Sequence, residues 1–229
     1  MAARIVAPPT VELPDLRFVD PAPSRGTGAR LWLVRHAEVH VDWQQRAYGN
    51  TEVPLSPEGE AATRAMGAAF ASRALEGVWS SDLARALAMG RSIAEHTQAP
   101  LTTDARLREV WRGEWQGLPA TEFRARWEKD VARFLANPWT WKGHGGESDA
   151  DVEARAWPVL SAALAASRGG ELVLAAHYNV IRVLVTRALG LTARASFAFT
   201  NAPAHVTLLV DERAGWRLAA RDLELPTDI

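Results

Sequence analysis

Two arginines and two histidines stand where an anion would be held, provided the fold brings them together. Arg35 and His36 close an apolar run, Leu31-Trp32-Leu33-Val34, and His177 closes another, Glu171-Leu172-Val173-Leu174-Ala175-Ala176. A buried strand does not normally stop on a cation beside an imidazole. Arg85 follows a third short run, Gly77-Val78-Trp79, and falls in the first turn of the helix that Ser80-Ser81-Asp82 would cap. The helix dipole is positive there, so a guanidinium costs stability unless an anion or an acidic partner compensates. Taken alone, Arg85 reads as a solvated side chain or a partner of Asp82. Beside Arg35 and a helix N-terminus that itself attracts anions, phosphate is the better reading.

A metal ion is the competing ligand. His36 and His40 are four residues apart in HAEVH, but the order is not that of the H-E-x-x-H zinc motif and the segment follows a strand directly. His96, His144 and His205 show no ligand spacing. With no cysteine, neither a disulfide nor a zinc–cysteine site can form, as suits a reducing cytoplasm. The phosphate reading is preferred, and neither a metal nor another cofactor is expected.

The elements that must position these residues alternate. Leu31 to Val34, Gly77 to Trp79 and Glu171 to Ala176 read as buried strands. Ser56-Pro57-Glu58 reads as a cap for a helix over Ala61 to Leu75, and further helices are predicted over Leu83 to Glu95, Pro119 to Leu135, Asp149 to Ala166 and Val180 to Leu189. Pro158 is expected to kink or break its helix. Asp211 to Gly215 marks a hairpin between Val206–Val210 and Trp216–Ala220. Strands alternating with helices imply an α/β fold, a three-layer sandwich of a mostly parallel central sheet with helices on both faces. Ligands of such sheets sit outside the carboxyl ends of the strands, where Arg35, His36, Arg85 and His177 would meet.

Composition bounds the function. A net charge of −1 argues against a nucleic-acid or membrane-surface partner, and 48% hydrophobic residues in 229 suffice for a packed core. No run approaches the roughly 20 apolar residues that span a bilayer, and no signal-like apolar stretch opens the chain, so a cytoplasmic protein is expected. Residues 1–28 hold five prolines and end in Ser24-Arg25-Gly26-Thr27-Gly28, which reads as an N-terminal extension rather than core. Residues 29–229 are expected to form one domain. The sequence leaves the oligomeric state open, a homodimer included.

With these residues in hand, the chain resembles the histidine phosphatases, the phosphoglycerate mutase-like superfamily, over roughly residues 30 to 221. The resemblance rests on Leu33-Val34-Arg35-His36-Ala37-Glu38, on Tyr48-Gly49 with Pro54-Leu55-Ser56-Pro57-Glu58-Gly59, and on Ser80-Ser81-Asp82-Leu83-Ala84-Arg85-Ala86. It continues through Leu107-Arg108-Glu109 with Gly113-Glu114-Trp115-Gln116-Gly117, then Gly145-Gly146-Glu147-Ser148, Ala176-His177-Tyr178-Asn179-Val180-Ile181-Arg182 and the strand from Asn201 to Leu209. It implies that His36 is a phosphorylated nucleophile, that Arg35, Arg85 and His177 hold the phosphoryl oxygens together with it, and that Glu109 is the proton donor. Trp111 and Trp115 stand near Glu109 in sequence, and an apolar, Trp-flanked carboxyl would have the raised pKa a donor needs. The chemistry is sound, because a neutral imidazole is a competent nucleophile and guanidiniums supply the positive charge that phosphoryl transfer requires.

The chain departs from the family pattern at three places. Ala37 stands for the usual glycine, which an ordinary backbone angle would tolerate. Asp42 stands where many members have an asparagine near the phosphate, so it points away or meets a substrate hydroxyl. Tyr178-Asn179 replaces the frequent Gly-Gly and crowds the pocket. Asp42, Tyr48, Gly49 and Tyr178 are the candidate substrate contacts. A small cap is expected from about residue 111 to 147, where the insertion is short and Arg124, Arg126, Lys129 and Arg133 read as a solvated, salt-bridged helix face. The expected activity is metal-independent hydrolysis of small phosphomonoesters. A mutase that returns the phosphoryl group, and a phosphate-binding module without turnover, are the alternatives.

Overall fold

Six strands form one sheet in the order β3-β2-β4-β1-β5-β6, in a computed structural model that describes residues 18–225. They are β1 Arg30–Arg35, β2 Leu75–Ser80, β3 Leu101–Thr103, β4 Glu171–Ala176, β5 His205–Glu212 and β6 Gly215–Glu224. The first four in that order run parallel, while β5 and β6 form an antiparallel hairpin on the far side of β1. Alternation along β1 explains the layers. Leu31 and Leu33 join Leu172 and Leu174 under α5 (Asp149–Ala166) and α6 (Tyr178–Leu189). Trp32 and Val34 face Met66 and Phe70 of α1 (Pro57–Phe70) and Met89 and Ile93 of α2 (Ala84–Thr97). The central strands are buried on both faces, as a parallel sheet between helices requires. Among the described residues, no helix is long and apolar enough to cross a membrane.

Local signals set most boundaries. Ser56 accepts from the Gly59 amide at 2.9 Å and Pro57 opens α1. Ser148 and Asp151 form a reciprocal capping box on α5. Three expectations change, and one strand had no expectation. The helix expected to reach Leu75 ends at Phe70, and Leu75 instead pairs with Glu171 across β2 and β4. Strand β3 has only three residues, too few to show a pattern in the sequence. Helix α5 runs unbroken through Pro158. Pro158 and Ala154 both lie on its exposed face, so the carbonyl deprived of a partner meets water. The helix expected over Pro119 to Leu135 is two, α3 Ala120–Arg126 and α4 Glu128–Ala136, with Trp127 out of helical geometry between them.

The extension is also less detached than its prolines suggest. Residues 1–17 lie outside the described residues. From Phe18 onward the chain is tied down: Val19 and Ala22 are buried, and their amides reach the Leu191 and Arg187 carbonyls at the end of α6. The Asp211 carboxylate accepts from the amides of Arg25, Gly26 and Thr27 and from the Thr27 hydroxyl. A turn-rich segment without apolar periodicity is thus fixed by one buried acid on β5.

Candidate active site

Strand register brings the site together. Arg35 is level with Ala176, and Ser80 with Ala175, so the residues that follow β1, β2 and β4 leave the sheet at one edge. Backbone bonds lock that edge: the His36 amide donates to the Ala176 carbonyl at 3.1 Å and the Ser81 amide to Ala175 at 3.0 Å. His36 and His177 are both buried, with ring centroids 5.2 Å apart. His177 is the extended residue that opens α6, so the positive end of that helix also faces the site.

The His36 ring has a defined tautomer. Its Nδ1 lies 2.7 Å from the Ala37 carbonyl, which can only accept, so Nδ1 carries the proton and Nε2 the lone pair. Burial above all, then the Arg35 and Arg85 charges, hold the His36 pKa far below its ordinary value; the Ala37 bond opposes this more weakly. Burial, followed by Arg85 and His36, does the same for His177. Both rings are therefore neutral at neutral pH. His177 Nε2 is 2.9 Å from the Ser81 hydroxyl, and its Nδ1 is buried without a partner among the described residues.

The two arginines are held by carbonyls, which leaves their charge uncompensated. Arg35 donates to the Asn201 carbonyl at 2.5 Å and lies 5.3 Å from the Tyr178 ring. Arg85, almost fully buried, donates to the Thr51 and Gly49 carbonyls at 2.8 and 2.7 Å and sits 5.2 Å from the Tyr48 ring. Burial lowers its pKa, with Glu109 the strongest opposing influence. Asp82 is not its partner, because Arg108 takes that carboxylate at 2.7 and 2.8 Å. Nor does the Ser80-Ser81-Asp82 run supply a side-chain cap from the residue preceding α2. The first donors of α2 go to the Ser81 hydroxyl and to the carboxylate of Glu52, from a different loop. Gly49 is required where it is: its φ is +45°, and a Cβ would lie 2.6 Å from the Val110 carbonyl.

Glu109 is buried, as a donor to a bound substrate should be, but its setting differs from the expected one. Trp111 is 47% exposed rather than packed away. The carboxylate instead accepts from the Val110 amide at 2.8 Å and from the amide and side chain of Asn179 at 3.2 and 3.3 Å. Its loop is clamped by Arg155, which donates to the Arg106 and Arg108 carbonyls and pairs with Glu147. Glu147 in turn accepts from the Trp111 amide. The preceding Gly146 passes so close that a Cβ there would lie 2.2 Å from the Trp111 carbonyl.

The remaining candidates divide. Tyr48, Gly49 and Tyr178 lie beside the arginines, whereas Asp42 is exposed and paired with His40 at 3.2 Å. Ala37 has no left-handed φ, so its methyl is tolerated. Among the described residues, no group of three or more His, Asp or Glu is placed to hold a metal ion.

Asn179, which donates to Glu109, also lines a cavity of about 880 Å³, whose walls include Trp115, Phe123, Phe134, Phe197 and Tyr178. Arg46, Arg112, Arg124 and Glu128 are its charged lining. Arg124 and Glu128 are exposed, as a solvated face requires, and also line the cavity. Of the five tryptophans between Glu109 and Gly145, only Trp115 lines it; Trp141 stacks behind Trp115 at 5.4 Å and Trp139 packs on the core. Asn179, Ser81, Arg155 and Gln116 serve the site yet were not singled out by sequence reasoning. Only Asn179, as a departure from Gly-Gly, had a signal.

Comparison with known proteins agrees with this geometry. The family model of the histidine phosphatase superfamily (branch 1) matches residues 31–223. A glucosyl-3-phosphoglycerate phosphatase of Mycolicibacterium vanbaalenii is 31% identical, over 71% of this chain and 75% of that one. A protein named probable phosphoglycerate mutase from Salmonella choleraesuis is 28% identical, over 72% and 76% of the two chains. The native structure of a mycobacterial glucosyl-3-phosphoglycerate phosphatase superposes with a TM-score of 0.77 at 29% identity, covering 86% of this chain and 99% of that one. The chain therefore belongs to the histidine phosphatase superfamily and is an enzyme of phosphomonoester hydrolysis through a phosphohistidine.

Proposed function

We propose that His36 is the nucleophile, that Arg35, Arg85 and His177 bind the phosphoryl group with it, and that Glu109 is the proton donor of a metal-independent phosphatase. The observation that carries this reading is His36 itself: a buried, neutral ring whose Nε2 lone pair is left free by the Nδ1 bond to Ala37, with two guanidiniums beside it. Nε2 attacks phosphorus as the ester P–O bond breaks, and the departing oxygen takes a proton from Glu109. Water then attacks the phosphohistidine, returns a proton to Glu109, and frees inorganic phosphate and His36. The Ser81 hydroxyl, which already accepts from the Leu83 amide, turns its own proton to His177 Nε2. That leaves Nδ1–H as a donor for a phosphoryl oxygen.

Residues 111–147 serve as a cap over this site, and the cavity beneath it takes the leaving group. Its aromatic walls favour apolar or aromatic phosphate esters over sugar phosphates. The proposed setting is cytoplasmic, in keeping with a cysteine-free chain. Rapid quenching during turnover of an aryl phosphate should trap an acid-labile, base-stable phosphoprotein. His36→Ala should abolish both the adduct and turnover, and EDTA should have no effect. Inhibition by EDTA that a divalent metal reverses would overturn the mechanism. Interconversion of 2- and 3-phosphoglycerate faster than phosphate release from any ester would overturn the hydrolase reading.

A further inference from the structure

Of the cavity's cations, Arg46 donates to the Asp42 and Gly117 carbonyls and Arg124 is exposed to solvent, which leaves Arg112 as the partly buried one without a partner among the described residues. It opens the short 3-10 helix Gly113–Trp115, where its backbone amide is fixed by Gln116 at 2.9 Å. Its guanidinium, 5.4 Å from the Phe134 ring, makes neither a hydrogen bond nor an ion pair with any described residue. The other arginines of this region differ. Arg182 is bound by Asp149 at 2.6 and 2.7 Å, and Arg155 by Glu147 and two carbonyls. The guanidinium is partly exposed, and a fork that lines an aromatic cavity without an acidic partner is placed to meet an anion carried by a ligand. Glu109, which attracts it, is not within ion-pair distance, and its oxygens already accept from Val110 and Asn179. The phosphoryl group is not that anion either, because Arg35 and Arg85 are the proposed cations for it.

We propose that Arg112 is a specificity residue for a second anionic group on the substrate. The inference rests on the phosphatase reading above. The substrate is then a phosphomonoester whose leaving group has an apolar or aromatic body, lying against Phe134 and Trp115, and a carboxylate or a second phosphate at its far end. Carboxylate and phosphate share the acceptor geometry that a guanidinium fork reads, and separate substrates tell them apart.

The test compares 4-carboxyphenyl phosphate and 1,4-phenylene bisphosphate with neutral 4-carbamoylphenyl phosphate, in the wild-type enzyme, Arg112→Met and Arg112→Lys. The readout is the ratio of kcat/KM for charged over neutral ester. Comparing that ratio between variants cancels the intrinsic reactivity of each leaving group. Arg112→Met should lower the ratio about tenfold or more for at least one charged ester, with Arg112→Lys between the two. The ester that loses more identifies the anion. An unchanged ratio for both overturns the proposal, as does an equal loss on charged and neutral esters, which would mean that Arg112 acts through Glu109. If the wild type hydrolyses none of the three, the phosphatase reading fails. Calorimetric binding of 4-carboxybenzylphosphonate, 4-(phosphonomethyl)phenyl phosphonate and benzylphosphonate then tests the subsite without turnover. The same loss of preference in Arg112→Met supports the site, and its absence for both charged phosphonates rules it out.

Discussion

At the scale of the residue, the site works by withholding partners. His36 has one ring nitrogen bound to a carbonyl and the other free, and Arg35 and Arg85 are steadied by neutral carbonyls rather than carboxylates. A carboxylate partner would neutralise the charge proposed to meet phosphate, whereas a carbonyl orients the guanidinium and leaves the charge in place. Glu109 is arranged differently, with Asn179 donating to it twice and Arg155 holding the backbone beneath it. This gives a direct test of its role. Glu109→Gln removes the proton while nearly keeping the shape, so kcat on an alkyl phosphate should fall by about 100-fold or more, the usual weight of general acid catalysis. On nitrophenyl phosphate, whose leaving group needs little protonation, the loss should be small. Equal losses on the two substrates would assign Glu109 another role. The residues legible in the sequence were those whose type was out of place locally, such as a cation ending an apolar run. The roles of Ser81 and Asn179 were not, Asn179 showing only as a departure from Gly-Gly, because their partners His177 and Glu109 lie 96 and 70 positions away and no spacing records that.

The elements show the same division between local and distant causes. The cap at Ser56 and the apolar runs of β1 and β4 are written in neighbouring residues, and they came out where the sequence put them. The break at Trp127 was not legible, since no glycine or proline marks it. Its cause is tertiary. Phe123 and Phe134 would stand about 16 Å apart along one straight helix, yet their ring centroids lie 5.1 and 6.0 Å from the single ring of Trp115. Two helices joined at an angle satisfy both contacts. Residues 18–28 are the clearest case of structure without sequence periodicity, because four donors converge on one carboxylate. Burial by itself would raise the Asp211 pKa, but the hydrogen bonds from Thr27, Gly26 and Arg25 outweigh it and hold the acid below its ordinary value. Asp211→Ala strands those donors and should destabilise the protein by about 2–4 kcal/mol, the range for losing charge-assisted bonds from a buried site. Urea denaturation measures the loss, and limited proteolysis should report new cleavage near Arg25. Activity per folded molecule should stay within about twofold, since the substitution lies at the opposite end of the sheet from His36. A variant as stable as the wild type would show that this segment contributes nothing to the fold.

For the whole molecule, three buried histidines make folding a proton-linked reaction. His36 and His177 are held neutral by burial and by the arginines around them. His144 lies edge-on against the stacked pair Trp115 and Trp141, with centroids at 4.8 and 5.1 Å. Burial and then the Arg112 charge lower its pKa to about 4. In the unfolded chain each ring titrates near 6.5. Between that value and the lower folded value, the unfolded state holds more protons than the native state, so stability must fall as pH falls. Each such proton contributes about 1.4 kcal/mol per pH unit, so three give a slope of up to about 4 kcal/mol per pH unit. Carboxylates reach their unfolded midpoints only near pH 4, so they add to the slope, in the same direction, below about pH 5. The window that isolates the histidines is therefore pH 6.5 down to 5. Urea denaturation at half-unit steps from pH 7.5 to 5 should give a plateau above 6.5 and a steep decline below it. His144→Gln removes one of the three protons without touching the anion site, and should reduce the slope by about a third. A protein equally stable at pH 7.5 and 5, with His144→Gln changing nothing, would mean that these rings are protonated in the folded state. In that case His36 could not act as a nucleophile below pH 6.5 either.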